Sequence, residues 1–523
     1  MRNRGSSGDG MTAVGVVLLL AAVFLVLFTR ALTRSLNHDE HQFLAPAVLL
    51  GKEGLLPYRD YPLFHLPNLT LIYGAVVAAG GHLVFWAKAS TAICSWATAL
   101  ILVWQGVTCL PGRRWMILSA AVIVALFTLN PLFAFTAGRT WNHELPTFMA
   151  VLALVLVLSA RERGSATLLA MGGFVCALAV GGRLTILPLL GMLGVLPLAF
   201  FSVPWRGRAA LVTAYVAGAL LGLAPSLIFF ALAPEQFLFG NFEFPRLALL
   251  DPENTRIQKT LQPWRKVRFF FKEIVLPNWP LFLSFAACAL PVIWRGIRSR
   301  TALCWNTTAS VLAVGVLLVG CFAPSRYQQQ HYFVLLPFLT LAAIHGFLAE
   351  ERTERRFRLL PWLLCAMAGF AAIQMAFTFI SDSERGVYAS IKQMMTPADW
   401  FPNRARLVAS EIANVVPAGG RVLTLAPVLP LEAKLRIYPP FATGVFAWRN
   451  AQFVPPERRS RLKLIAPEDL PTLLERNPPA AILTGVEDAK HEEAFVTYAK
   501  SHDFREVPLG KGRRKLWLPP PPP

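Results

Sequence analysis

Apolar runs of membrane-spanning length recur from Met11 to residue 380, and nothing constrains this chain more. A helix that crosses the hydrocarbon core needs roughly 17–25 predominantly apolar residues. Only 15% of the 523 residues are charged and 55% are hydrophobic, where an ordinary soluble protein carries about 25% charged residues. A polytopic α-helical membrane protein is the fold class this implies. The formal net charge of +20 would point to nucleic acid in a soluble chain. Here the excess sits largely in short loops between apolar runs, where it sets topology instead.

The first run, from Met11 to Phe28, follows Arg2 and Arg4. It is long for a signal peptide, and Arg30-Ala31-Leu32-Thr33-Arg34 is a poor cleavage site. We read a retained first span with a cytoplasmic N-terminus. Residues 31–85 then form a long external loop, in which 66–80 is a short re-entrant or interfacial helix rather than a span. Later spans fall near 86–108, 115–135, 145–160, 166–181, 209–232, 279–294, 332–348 and 359–380, with a sixth before Arg206 and a ninth before Pro324. This register puts Arg113-Arg114, Arg161/Arg163, Arg206/Arg208, Arg295/Arg298/Arg300 and Arg352/Arg355/Arg356/Arg358 on the inner side, as the positive-inside rule requires. About eleven spans result, N-terminus inside and C-terminus outside.

Residues 381–523 change character. Apolar runs shorten to strand length at Arg421–Ala426 and Ala480–Gly485, between helical stretches near 403–415, 467–476 and 488–501. A small external α/β domain is expected, ending in a proline-rich disordered tail from Leu518. The seven cysteines lie in or beside apolar runs without metal-finger or CxxC spacing, so they read as small buried hydrophobes. No phosphate-binding glycine loop or dinucleotide fingerprint occurs.

Chemistry concentrates at the outer ends of the spans. Asp39-Glu40, flanked by His38 and His41, stands about ten residues beyond the first span. A carboxylate at that low-dielectric boundary suits general-base work; two solvated loop acids are the bland alternative. His143-Glu144 opens the fourth span, where an acid also simply suits the helix dipole. The external loop 233–278 carries Arg246, Arg256, Lys259, Arg265, Lys266, Arg268 and Lys272, a set for anionic membrane lipids or for a phosphate clamp. Arg183, after Gly181-Gly182, and Arg326 are candidates for the same work, against plain snorkelling. Arg326-Tyr327-Gln328-Gln329-Gln330-His331-Tyr332 gathers donors and aromatics at one membrane edge.

These features together resemble the GT-C membrane glycosyltransferases, in the branch of protein O-mannosyltransferases and aminoarabinose transferases. Asp39-Glu40 is similar to that family's acidic pair. Gly51 through Pro57-Tyr58-Arg59-Asp60 to His65-Leu66-Pro67 is similar to its first-loop run. The loop ending at Glu144, with Arg161-Glu162-Arg163 after the next span, and Gln330-His331-Tyr332 with Pro337 complete the likeness, which covers residues 11–380. The resemblance implies a polyprenyl-phosphate sugar donor and transfer, with inversion, on the outer face of a bacterial inner membrane. It makes Asp39 the general base and Glu40 its support; its motifs, with the basic and aromatic clusters read above, give Arg59, Asp60, His65, His143, Glu144, Arg183, Arg265, Arg268, Arg326, Tyr327, His331 and Tyr332 as the expected substrate-binding residues. Asn142-His143-Glu144 departs from the Asp-rich loop of oligosaccharyltransferases. A divalent cation, with Asp39, Glu40 and Glu144 as its ligands, therefore stays an open question. The acceptor is a glycan, a lipid or a protein, and a transporter or flippase of lipid-linked sugars is the competing class. Such transporters place polar groups mid-membrane and show repeated halves, whereas here the polar groups gather at span ends.

Overall fold

The computed structural model describes residues 6–80, 82–108, 115–247, 249–250, 262–299, 304–324, 327–351, 359–382, 387–510 and 513–521. Arg113, Arg114, Arg300, Arg352, Arg355, Arg356 and Arg358, which carry part of the topology argument, lie outside them. Among the described residues eight helices are long and apolar enough to cross a membrane: Met11–Thr33, Leu83–Val107, Glu144–Arg163, Trp205–Leu232, Trp279–Arg298, Trp305–Phe322, Gln329–Glu351 and Leu360–Phe377. Three shorter apolar helices, Met116–Thr128, Ala166–Gly182 and Leu184–Phe200, stand where the third, fifth and sixth spans are expected, each shorter than the eight.

We label the helices that matter below α1 (Ser6–Thr33), α2 (His38–Glu53), α3 (Asn68–Ala78), α4 (Leu83–Val107), α5 (Met116–Thr128), α6 (Pro131–Thr136), α7 (Glu144–Arg163), α8 (Ala166–Gly182), α9 (Leu187–Phe200) and α10 (Trp205–Leu232). The third span is broken. Asn130 accepts from Phe133 N at 2.8 Å and donates to Phe127 O at 2.7 Å, and Pro131 starts α6 because it has no N–H to continue α5. α3 has 11 residues, a length of about 16 Å, so it falls short of a span as expected.

The first span keeps Val14, Val17, Leu18 and Leu25 more than half exposed. That suits a surface whose solvent is lipid. Its end is fixed inward instead, since Arg34 donates to Ala134 O at 2.8 Å and Ala137 O at 2.8 Å. α8 and α10 pack backbone to backbone, and a Cβ on Gly218 would lie 2.0 Å from Ala170 O. Small residues give membrane helices this close approach, because hydrophobic burial does not drive association in lipid.

The C-terminal region forms a five-stranded sheet, β1 (Arg421–Leu423), β2 (Arg436–Ile437), β3 (Ala481–Thr484), β4 (Arg505–Pro508) and β5 (Lys515–Leu518), in the order β2-β1-β3-β5-β4. β1 runs parallel to β2 and β3, and β5 runs antiparallel to β3 and β4. β1 and β3 lie where strand-length apolar runs predict them. β2, β4 and β5 are additional strands, and Leu518 closes β5 rather than opening a tail. The sheet region seats on α2: Val428, Leu431, Ile437 and Ala442 share one buried cluster with Phe43, Leu44 and Val48. A second attachment is ionic, where Arg458 reaches Glu243 at 2.7 Å and Glu235 at 3.2 Å in the loop after α10.

Candidate active site

The N-terminus of α2 splits the acidic pair by geometry. Asn37 caps the helix, accepting from Asp39 N at 2.8 Å, while Glu40 Oε2 accepts from Asn37 N at 2.7 Å. This reciprocal capping box fixes the first turn. Successive helical residues point about 100° apart, so one acid turns inward and the other does not. Glu40 is fully buried. Its Oε1 accepts from Lys88 Nζ at 2.6 Å, Thr140 N at 2.7 Å and Thr140 Oγ1 at 2.6 Å. Burial pushes the Glu40 carboxyl up, but Lys88 and Thr140 outweigh it and hold the group below its ordinary value. Asp39 keeps 25% of its side chain exposed, with His38 Nε2 at 3.3 Å. Glu40 is thus a fixed anchor, and Asp39 is the carboxylate that can meet a substrate.

The anchor ties three segments together. Lys88 of α4 also donates to Gly138 O at 3.2 Å, and Gly138 N donates to Glu144 Oε1 at 3.1 Å. Gly138 has φ +81, and a Cβ there would meet Ala31 Cα of α1 at 2.8 Å, so only glycine fits this corner. Glu144 is buried at the head of α7 with Oε2 unpartnered.

A second group is linked to Asp39 through His65, which lies within its electrostatic range. Arg183, buried between α8 and α9, donates to Asn142 Oδ1 at 3.2 Å, to His143 Nδ1 and to Thr185 Oγ1 at 3.0 Å. Arg183 lies within electrostatic range of His65, His143 and His331, and Asp39 within range of His65. Burial lowers His65 to about 4 and His143 well below the ordinary imidazole value, so both rings are neutral at pH 7. His65 Nε2 faces Gln42 Oε1 at 3.0 Å. Three histidines far apart in the sequence therefore lie within electrostatic range of one arginine, and His143 is the one it touches.

The third group joins the end of loop 233–278 to the start of the tenth span. Lys266 donates to Phe322 O at 2.9 Å and Pro324 O at 2.7 Å and acts on His331. The Tyr332 ring is buried near Phe269, Phe270 and Phe322, and Tyr327 packs on Phe269 at 4.5 Å. Arg265 Nε, His331 Nδ1 and the Tyr332 hydroxyl are buried without a partner. Buried polar atoms are normally satisfied, so this seam is equipped for a ligand with several acceptor oxygens. Arg268 is exposed. Arg326, Arg256 and Lys259 lie outside the described residues.

Arg59 and Asp60 stand apart from these groups. Arg59 is 53% exposed and pairs with Asp60 at 2.9 Å, and Asp60 closes its own turn by accepting from Leu56 N at 2.7 Å. Asp39, Glu40 and Glu144 do not form one ligand set. Among the described residues no group of three or more His, Cys, Asp and Glu side chains is arranged to hold a metal ion. Lys88 and Thr140 were missed by sequence reasoning. The available signal was Lys88 itself, a lone charge inside the second apolar run, because such residues are expensive in a span and point to a partner.

No family model matches the chain, and no curated protein matches it. Among solved structures, the chain has the fold of ArnT from Cupriavidus metallidurans, which was solved bound to undecaprenyl phosphate. The match covers 97% of this chain and 98% of that one, at TM-score 0.51 and 15% identity. The expected architecture, a polytopic helical bundle with a small C-terminal sheet, is the fold found. At this identity the likeness is one of fold.

Proposed function

We propose that the chain is an integral-membrane glycosyltransferase that moves a sugar from a polyprenyl-phosphate donor to an acceptor hydroxyl. The observation that carries this reading is the division of labour at α2. Glu40 is locked by Lys88 and Thr140, which leaves Asp39 as a partly exposed carboxylate within electrostatic range of His65 in the buried Arg183–histidine group. The undecaprenyl phosphate bound to ArnT supports the lipid-linked donor.

In this mechanism the acceptor O–H gives its proton to Asp39 as its oxygen attacks the anomeric carbon. The bond from that carbon to the phosphate oxygen breaks, and the phosphate leaves with the bonding pair. Attack opposite the leaving group inverts the anomeric centre. Arg183, Arg265 and Lys266 offset the charge that develops on the phosphate, and Tyr332 and His331 offer it further hydrogen bonds. Glu40 and Lys88 hold Asp39 in place without touching substrate. The reading places the protein in a bacterial inner membrane, with its N-terminus in the cytoplasm and both Asp39 and the sheet domain on the far side.

Membranes carrying wild type or Asp39→Asn, supplied with radiolabelled polyprenyl-phosphate sugars, test the reading. A positioned general base contributes about 10²–10⁴-fold, so Asp39→Asn should lose at least a hundredfold in transfer while unfolding as wild type does. Transfer by Asp39→Asn at the wild-type rate would refute Asp39 as base. Flipping of lipid-linked sugar by wild type, with no donor consumed, would favour the transporter class.

A further inference from the structure

The sheet domain meets α2 along the edge that carries the acidic pair. His38 and His41, one turn apart on α2, face the segment 443–449. The His38 ring lies 5.8 Å from the Phe446 ring, and a Cβ on Gly444 would sit 3.4 Å from His41 Cβ. Arg449 and Glu487 lie within electrostatic range of His38. Phe446, Arg449 and Glu487 are all half-buried, so each has a side open to solvent. Two nearly fully buried polar groups on this seam, His41 Nδ1 and Thr443 Oγ1, have no hydrogen-bond partner.

The sheet supplies an independent reason to look here. Gly485–Glu487 leaves the carboxyl end of β3, and Gly444 lies against Leu425 just past the end of parallel β1. Open α/β sheets bind ligands outside the carboxyl ends of their parallel strands. The Glu487 loop is also fixed in place: Glu492 accepts from Gly485 N at 2.6 Å, Glu487 N at 3.1 Å and Val486 N at 3.3 Å.

We infer that the seam between the first turn of α2 and the segments 443–449 and 485–487 is the acceptor subsite, and that it takes an uncharged, hydroxyl-rich glycan. The inference rests on the glycosyltransferase reading. The class of acceptor follows from the charges. Asp39 and Glu487 stand against His38 and Arg449, so the seam is close to balanced. An anionic acceptor would bring a like charge against both carboxylates. A cationic one would pair with Asp39 and take away the base. A neutral sugar does neither. Its hydroxyls suit Glu487 as a hydrogen-bond partner, and its C–H face suits the part of the Phe446 ring left open beside His38 and Arg449.

The test uses the full chain in nanodiscs with a radiolabelled undecaprenyl-phosphate sugar. Glu487→Gln and Phe446→Ala are measured beside wild type and Asp39→Asn. Maltotriose and glucose 6-phosphate serve as neutral and anionic competitors of transfer. Both seam variants should raise the apparent KM for acceptor at least tenfold while binding undecaprenyl phosphate as wild type does, and maltotriose should compete better than glucose 6-phosphate. Glu487→Gln, which keeps size and shape, carries the test if Phe446→Ala fails to fold. An unchanged acceptor KM in Glu487→Gln, or stronger competition by glucose 6-phosphate, would overturn the subsite while an inactive Asp39→Asn leaves the transferase reading standing. A fully active Asp39→Asn would sink that reading and this subsite with it.

Discussion

Lys88→Met isolates the device that holds the acidic pair. The Lys88–Glu40 contact is 2.6 Å long, and neither side chain has any exposure. Removing one partner of a buried pair leaves an uncompensated charge and costs about 3–5 kcal/mol. After Lys88→Met the Glu40 carboxylate keeps Thr140 N, Thr140 Oγ1 and Asn37 N, so the loss should sit near the lower figure, about 3 kcal/mol. Glu40→Gln strands the ammonium with Gly138 O and a neutral amide, and it should cost more. The double variant removes both charges, so it should be less damaging than the two losses added, with a coupling of about 2 kcal/mol. Unfolding in mixed micelles across an SDS titration measures all three. Transfer activity provides a second readout, because a shift of the first turn of α2 by about 1 Å would misplace Asp39 and lower the rate about a hundredfold. Lys88→Met within about 0.5 kcal/mol of wild type, with no coupling in the double variant, would refute the argument.

His41 gives a pH signature. Burial lowers it from 6.5 to about 4, so above pH 6.5 the ring is neutral in both folded and unfolded chains. Between pH 6.5 and about 4 only the unfolded chain takes the proton. Stability then falls by about 1.4 kcal/mol per pH unit for this group and levels off once the folded ring protonates. His41→Gln should remove one proton's worth of that slope in unfolding free energy measured from pH 7 to 4, and an unchanged slope would refute the assignment. Gly218→Leu tests the α8–α10 contact. The 2.0 Å approach to Ala170 O is to backbone that has no rotamer to yield, so the variant should lose more than the about 1–3 kcal/mol typical of overpacking. A melting temperature equal to wild type would show that the helices can part freely.

The spans were legible because their signal is local: length and hydropathy are read from consecutive residues. The site was legible in parts for the same reason, and its assembly was not. Asp39 and Glu40 look alike in sequence, and only the roughly 100° step of the helix, with Lys88 arriving from α4, makes one the anchor and the other the open carboxylate. His143 and His331 could each be placed at a span end and His65 in the first external loop, but no rule of spacing brings all three within range of Arg183. β2 has two residues, and β4 reads Arg505-Glu506-Val507-Pro508, so neither shows an apolar run from which a strand could be recognised. The seating of the sheet on α2 is likewise tertiary, built from Val428, Leu431 and Ile437 against Phe43 and Leu44. These contacts have a consequence for the proposed reaction. The carboxylate stands where the first loop, the 138–144 corner and the sheet domain meet, and each piece is encoded far from the others. Its geometry therefore depends on packing between them, so a change at Lys88, or in the seating of the sheet on α2, should move the chemistry without touching Asp39.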